Sequence, residues 1–281
     1  MKSVFLVMHQ KKDNLRDIAR QATSALRSQG IAVFAEPWIA EKLGDEASAL
    51  LTGMTVAGCE AIIAIGGDGT LLRANAMSVE NRIPLIGVNI GTVGFLTETE
   101  LDGLNEVAKR LKNNDYTIET RMMLKAELNS QTMLALNDVV VSRGGYSRLI
   151  GVNAWVGDEQ VGRYIGDGLI VSTATGSTGY SLSAGGPIVC PQVDCLLLTP
   201  ICAHTLQHRP VITSPERKIV ISLDDTHAPM AVVSVDGQEN MELRCGDRLV
   251  VTRADCCARF IKLGPQDFFS KIRYKLSEWS C

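Results

Sequence analysis

The sequence predicts an α/β domain followed by an all-β domain: a doubly wound parallel sheet and then a β-sandwich. Three observations carry that prediction. Over the first 115 residues, short apolar runs alternate with helical stretches, the texture of a parallel sheet covered on both faces. After about Tyr116 the helical period fades and strand-length segments alternate with turns, as in an antiparallel sandwich. The last stretch, "PQDFFSKIRYKLSEW" (265–279), is again amphipathic and helical, so the tail returns to the first domain. The expected division is residues 1–115 with 265–281, and residues 116–264.

The elements follow in order. "VFLVM" (4–8) reads as a buried strand, and residues 13–29 as an amphipathic helix with Asp13 or Asn14 as N-cap and Gly30 as its stop. "IAVFA" (31–35) is the second strand, a polar helical segment follows, and "AIIAI" (61–65) is the third strand. Next come a helix from about Thr70, the strand "IPLIGVN" (83–89) and a helix from Leu101 to Lys112. The β domain is built from "YTIETRMMLKAEL", "TMLALNDVVVS", "LIGVNAWV", "EQVGRYI", "GLIVS", "RKIVISL", "MAVVSV" and "RLVVTRA". "VGDE" and "VDGQ" between such segments are hairpin turns.

Composition narrows the function classes. With 281 residues, 46% of them apolar, the chain can bury a substantial core. A net charge of −3 without a Lys/Arg block argues against nucleic acid as a partner. The apolar run Val4–Met8 is too short for a secretory signal, and no stretch approaches the ~18 apolar residues of a membrane helix. The expectation is a cytoplasmic protein without a membrane partner. Eight cysteines include no C-x-x-C pair, so reduced, mostly buried thiols are expected rather than a zinc site or disulfide framework.

Four segments carry chemistry. Gly66-Gly67-Asp68-Gly69-Thr70 lies at the carboxyl end of a predicted parallel strand, entering a helix. Ligands of open α/β sheets sit at that edge. Glycine there lets amides approach an anion, and the helix N-terminus adds a favourable dipole. Phosphate needs no carboxylate, so Asp68 serves another purpose. It holds a divalent metal, accepts a proton from an attacking hydroxyl, or caps the next helix. In "GVNIGTVGFL" (87–96), Asn89 donates and accepts, Gly91 and Gly94 permit close approach, and Phe95 offers a stacking face. In "NDVVVS" (137–142), Asn137 has an amide suited to an adenine edge and Asp138 a carboxylate suited to a ribose diol. A solvated strand start explains that pair equally well.

The fourth segment is "GDGLIVSTATGSTGYSLSAGGP" (166–187). From Ser172 to Ser183 nearly every residue is small or hydroxyl-bearing, including Thr175, Thr178, Gly179, Ser181 and Ser183. That composition suits a surface wrapping a polar ligand better than a core. Tyr180 can stack or donate, and Asp167 can accept from a hydroxyl or amide. A further candidate is "VSVDGQE" (233–239), where Asp236-Gly237 is foremost a type I′ turn signal and Gln238 follows it.

The combination is more specific than its parts. G-G-D-G-T, G-V-N-x-G-x-x-G-F, N-D and D-G-L-I-V-S-T-x-T-G-S-T-x-Y-S-L-S-A-G-G-P, in this order between about residues 60 and 240, closely resemble the NAD kinase family. The resemblance implies ATP-dependent phosphorylation of the 2′-hydroxyl of the adenosine ribose of NAD, giving NADP, with Mg²⁺ or Mn²⁺ as the metal. By the same resemblance Asp68 is the base or the metal organiser. Gly67, Gly69 and neighbouring amides meet diphosphate or donor phosphates, with Arg73 adding charge. Asn137 and the run Thr178 to Ser183 match positions around adenine and its ribose. Asp138, Arg148, Asp167 and Gln238 match positions touching the ribose, the nicotinamide end or a neighbouring subunit. A homodimer or homotetramer is implied.

Four departures bear on affinity rather than reaction class. The family commonly has Asn-Glu where Asn137-Asp138 stands, Pro for Ala174, Ala for Gly179, and Arg for Ile165, although Arg163 is nearby. Two alternatives remain beside the resemblance. A diacylglycerol- or sphingosine-type lipid kinase shares G-G-D-G but not the Thr/Ser-rich block. A non-catalytic pyridine-nucleotide sensor would keep the binding loops without turnover.

Overall fold

The computed structural model describes residues 1–10, 14–91, 94–143, 149–204, 208–264 and 268–278. They form two compact units, Met1–Thr120 with Ala258–Cys281, and Arg121–Cys257. The crossings lie a few residues from the expected boundaries at 115 and 264.

Unit 1 contains β1 (Ser3–Met8), α1 (Leu15–Ser28), β2 (Ala32–Ala35), α2 (Pro37–Leu43), α3 (Ala47–Leu50), β3 (Ala61–Gly66), α4 (Asp68–Asn81), β4 (Leu85–Asn89), β5 (Thr99–Glu100) and α5 (Leu104–Lys112). Its main strands are parallel in the order β4-β3-β1-β2. From β1 the chain steps to β2 on one side and then to β3 and β4 on the other. The topological switch point is therefore between β1 and β3, where open α/β sheets bind ligands.

Burial explains these elements. Leu15, Ile18, Ala19, Ala22 and Leu26 recur at helical spacing in α1 and share one core cluster with Leu6, Met8, Ile63, Ile65 and Val88 of the sheet and Leu104, Val107 and Leu111 of α5. Gly87 points away from that cluster; a Cβ on it would lie 2.4 Å from Leu71 Cδ1, so α4 covers the opposite face. The expected doubly wound arrangement is present. Helix α4 starts at Asp68 rather than near Thr70, because extended Gly67 is its N-cap. Asn14 is the N-cap of α1 without a side-chain capping bond, and Asp13 lies outside the described residues.

Unit 2 is a sandwich. Its chain runs through β6 (Thr117–Leu128), which enters from unit 1, then β7 (Gln131–Ala135), β8 (Asp138–Ser142), β9 (Ile150–Val156), β10 (Glu159–Gly166), β11 (Gly168–Ser172), α6 (Tyr180–Ser183), β12 (Leu196–Ile201), β13 (Val211–Thr213), β14 (Ile219–Leu223), β15 (Met230–Val235), β16 (Glu239–Arg244) and β17 (Leu249–Lys262). One antiparallel sheet has the order β13-β12-β11-β8-β15-β16. Its inward Val139, Val141, Leu169, Val171, Leu198 and Val233 meet Leu124, Ala126, Val152, Ala154, Ile221 and Val251 in one core. Alternation of inward apolar and outward residues generates this layer. Both predicted hairpins occur: Val156 pairs with Glu159, and Val235 with Glu239. The chain re-enters unit 1 along β17, where Phe260 pairs with Leu85 in parallel, and ends in α7 (Phe268–Glu278) with Ile272 buried.

One expectation is corrected. Among the described cysteines only Cys59 and Cys195 are buried; Cys202, Cys245 and Cys257 are exposed. The two-residue period of β17 turns Cys257 outward with Arg253 and Asp255. No helix among the described residues is long and apolar enough to cross a membrane.

Asp224, at the end of β14, supplies a pH-dependent clasp. Its side chain is 8% exposed and pairs with Arg163 at 2.7 Å and His227 Nδ1 at 3.0 Å. Burial opposes its charge, but hydrogen bonds from His227, Arg163 and Thr226 outweigh burial and hold the carboxyl at about 2. Because the folded value lies below the unfolded ~3.9, this stabilisation is complete above pH ~4 and disappears as pH falls towards 2; it is worth about 2 kcal/mol. We expect Asp224→Ala to lower the thermal midpoint at pH 7 and to flatten its dependence between pH 4 and 2, measured by circular dichroism.

Candidate active site

In unit 1 the glycine turn closes β3 and opens α4, so Asp68 is the first residue of the helix and a negative charge stands at the favourable end of its dipole. Its carboxylate does not cap α4. One oxygen accepts the Phe95 N–H at 3.0 Å and the other the Leu96 N–H at 3.2 Å. The intervening space is full, since a Cβ on Gly94 would lie 2.4 Å from Asp68 Oδ1. This is why "GVNIGTVGFL" carries glycine at 94. Each oxygen keeps a lone pair for a proton or cation.

At the switch point an open cavity of about 550 Å³ is lined by Met8, His9, Gln10, Gly67, Gly69, Thr70 and Arg73. Asp68 is not in that lining; its side chain is turned to the segment 94–96. Arg73 is less available than expected. Its guanidinium pairs with both oxygens of Glu36 and donates to the Met8 carbonyl at 2.7 Å. The positive charge is thus largely met within the protein. Sequence reasoning missed Glu36, which looks like an ordinary residue before the Pro-led helix α2. Asn89 lines a second cavity of about 390 Å³ with Asn14, Ile18, Gln21, Glu100 and Asp102. Its amide is engaged with Gly91, donating to the carbonyl at 2.9 Å. Phe95 is half-buried and contributes its N–H to Asp68.

Unit 2 brings a second group of candidates together. In the sheet register Ser172 lies opposite Asp138, and Asp236 follows Val235, which pairs with Val139. Three neighbouring strands therefore end in one polar row. Asp236 and Gly237 both have positive φ, 49° and 67°, as a type I′ turn requires. The turn is only half of Asp236's role. Its carboxylate accepts the N–H groups of Leu136 and Asn137 at 2.8 Å and of Asp138 at 3.1 Å, fixing the backbone of the Asn-Asp pair. Gly176 rests on that same backbone: a Cβ there would lie 2.1 Å from the Asn137 carbonyl oxygen.

A Cβ on Gly179 would lie 3.8 Å from Asn137 Nδ2 and 3.9 Å from Asp138 Oδ2, so these three positions share one wall. Asn137 Oδ1 and Ser172 Oγ are buried without hydrogen-bond partners. Unsatisfied buried polar atoms are costly, and a polar ligand could supply what they lack. Ser172 is an addition to the candidates; its place at the head of the hydroxyl-rich run was the available signal.

The hydroxyl-rich run itself is used differently from the expectation. Thr175, Ser177, Thr178 and Ser181 are buried. Ser177 Oγ donates to the Ala174 carbonyl at 2.6 Å and accepts from Val189 N–H, Thr178 Oγ1 donates to the Thr175 carbonyl at 3.3 Å, and Ser181 bonds to Thr199 at 2.8 Å. Thr175 Oγ1 accepts from Arg121 at 3.4 Å. These groups shape the segment from within, because a tight 3₁₀ turn followed by a short helix leaves carbonyls that hydroxyls must satisfy. Tyr180 and Ser183 are exposed. Asp167 is paired with Arg143 at 2.9 Å, while Arg163 is committed to Asp224, so it does not serve in place of an arginine at 165. Gln238 is exposed on the hairpin. Arg148 lies outside the described residues.

Burial, and then the negative charge of Asp236, push the Asp138 carboxyl up to about 7. Burial also raises Asp236, opposed by its three amide bonds. Asp236 has three amide donors facing its charge.

A glycine turn at the switch point of unit 1, and in unit 2 the partnerless buried atoms of Asn137 and Ser172, suit a nucleotide-binding protein of the phosphotransfer class. Family models agree: that of the ATP-NAD kinase N-terminal domain matches residues 4–116, and that of the C-terminal domain residues 136–263. The chain belongs to the NAD kinase family. It is 40% identical to the NAD kinase of Moorella thermoacetica over 99% of this chain and 90% of the relative, and 46% identical to that of Heliobacterium modesticaldum over 77% and 78%. Among solved structures, an NAD kinase from Archaeoglobus fulgidus in complex with ATP aligns with a TM-score of 0.76 at 25% identity over 99% of both chains. Yeast NADH kinase complexed with NADH has the same fold, with a TM-score of 0.88 over 99% of this chain and 88% of its own at 24% identity.

The raised Asp138 makes the fold pH-sensitive between about pH 4 and 7. With its folded value above the unfolded ~3.9, the contribution of this group is most favourable below pH ~4 and is lost as pH rises towards 7, by roughly 2–4 kcal/mol. Asp138→Asn is expected to remove most of that decline between pH 5 and 8, measured by denaturant midpoints.

Proposed function

We propose that the chain transfers the γ-phosphoryl group of ATP to the 2′-hydroxyl of the adenosine ribose of NAD, giving NADP. Membership of the NAD kinase family supports the reaction class. The observation that carries the assignment within this chain is Asp68, a carboxylate fixed by two amides at the end of a parallel strand. In this reading Asp68 accepts the proton of the attacking hydroxyl. The Gly67 and Gly69 amides at the N-terminus of α4 receive phosphate oxygens. Asn137 Oδ1 and Ser172 Oγ take donors from adenine, and Asp138 holds a ribose hydroxyl while carrying its proton. Tyr180 lies over the nucleotide.

Phosphoryl transfer needs an in-line hydroxyl, neutralised charge and little covalent chemistry from the protein. A divalent ion, Mg²⁺ or Mn²⁺, supplies charge neutralisation when bound. Among the described residues no group of three His, Cys, Asp or Glu is placed to hold a metal. Asp68, a carboxylate at the sheet edge with lone pairs left over, fits an ion carried mainly by substrate phosphates, as is usual for Mg²⁺. A cytoplasmic location, a homodimer or homotetramer, and a functional division at residues 115 and 264 belong to the same reading. Family membership sets the lipid-kinase alternative aside.

Two outcomes test the assignment. Asp68→Asn should nearly abolish NADP formation from ATP, Mg²⁺ and NAD, read by a coupled dehydrogenase, while leaving NAD affinity within about tenfold. A proton acceptor acts chiefly in the transition state. Substantial turnover in that variant removes Asp68 from the chemistry. A wild-type chain that binds NAD without turnover would instead be a sensor. Asn137→Ala should weaken NAD binding by about 1–3 kcal/mol in calorimetry, and an unchanged affinity would remove Asn137 from the site.

A further inference from the structure

The segment that fixes Asp68 is itself anchored from the end of the chain. Beyond the Phe95 and Leu96 amides, the Glu98 N–H donates to the Gly87 carbonyl at 2.8 Å, docking the segment on β4. The Glu98 side chain is 5% exposed and meets Lys262 Nζ at 2.7 Å; the lysine, 15% exposed, also lies 3.8 Å from Glu119. Glu98 Oε1 accepts the Leu263 N–H at 2.8 Å, and Lys271 of α7 donates to the Thr97 carbonyl at 2.8 Å. Strand end and helix thus grip residues 97 and 98, next to the amides that orient the carboxylate.

We infer that Glu98 and Lys262 are positioning residues for Asp68, acting through the Phe95 and Leu96 amides. This rests on the reading of Asp68 as the proton acceptor. A paired, mostly buried charge is an expensive way to stabilise a loop, because desolvation offsets most of the Coulomb gain. What it does provide is directional: the carboxylate is held between the Lys262 ammonium and the Leu263 N–H of a fixed strand end. An Asp68 carboxylate displaced by about an ångström loses hydrogen-bond reach of the attacking hydroxyl while the nucleotide remains bound elsewhere. The signature is a loss in kcat without a matching change in KM.

The test uses the full chain and its NADP-forming assay. Lys262→Met should lower kcat at least tenfold with KM for NAD within about twofold, and Lys262→Arg should restore most of it. Glu98→Gln keeps the shape and an acceptor for the Leu263 N–H, and should lower kcat in the same sense; the result is read from it if Lys262→Met fails to fold. In an Asp68→Asn background, Lys262→Met should produce little further loss, because the group it positions is gone. Wild-type kcat in both Lys262→Met and Glu98→Gln would overturn the inference. So would losses that multiply with those of Asp68→Asn, or that follow the folded fraction in circular dichroism. An active Asp68→Asn protein would instead reject the proton-acceptor reading, whatever Lys262 does.

Discussion

Two backbone amides held against one carboxylate organise unit 1. Asp68 stands where the sheet edge, the N-terminus of α4 and the segment after β4 meet, and the Phe95 and Leu96 N–H groups determine where its oxygens point. That arrangement requires Gly94, since any side chain there would collide with the carboxylate. It also requires the segment to be docked on β4, which the Glu98 amide and the end of β17 accomplish. A helix-capping aspartate would place no such demands on residues almost thirty positions away.

Unit 2 answers a different physical problem, that of keeping polar atoms buried and ready. Asp236 turns its carboxylate inward onto three consecutive amides, and burial beside it pushes the adjacent Asp138 carboxyl up. Asn137 and Ser172 keep atoms without internal partners. The neighbouring Ser177, Thr178 and Ser181 hydroxyls are satisfied by carbonyls of their own segment and by Thr199, which rigidifies the wall. Groups with and without internal partners thus lie within a few residues of one another.

Much of this was legible in the chain. Hydrophobic periodicity gave the alternating first part, the strand-rich second part and the returning helix, because burial on one stripe or one face imposes a period that survives in sequence. Turn chemistry located both hairpins. The boundaries of α4 were less legible, since an extended glycine N-cap leaves no side-chain mark. The cysteines misled because a thiol's hydrophobicity does not say which way a strand residue points.

By itself the sequence determined the fold class, the switch-point location of Gly66–Thr70 and the set of residue types suited to nucleotide chemistry, since these rest on local pattern and on motif order. Only the tertiary structure decided which of those groups are free to act. Arg73 proved to be paired with Glu36, Asp167 with Arg143, and Ser181 with Thr199, while Ser172 emerged with an unmatched hydroxyl. Partnership is settled by residues distant in the chain and brought together by packing, and no local period encodes it.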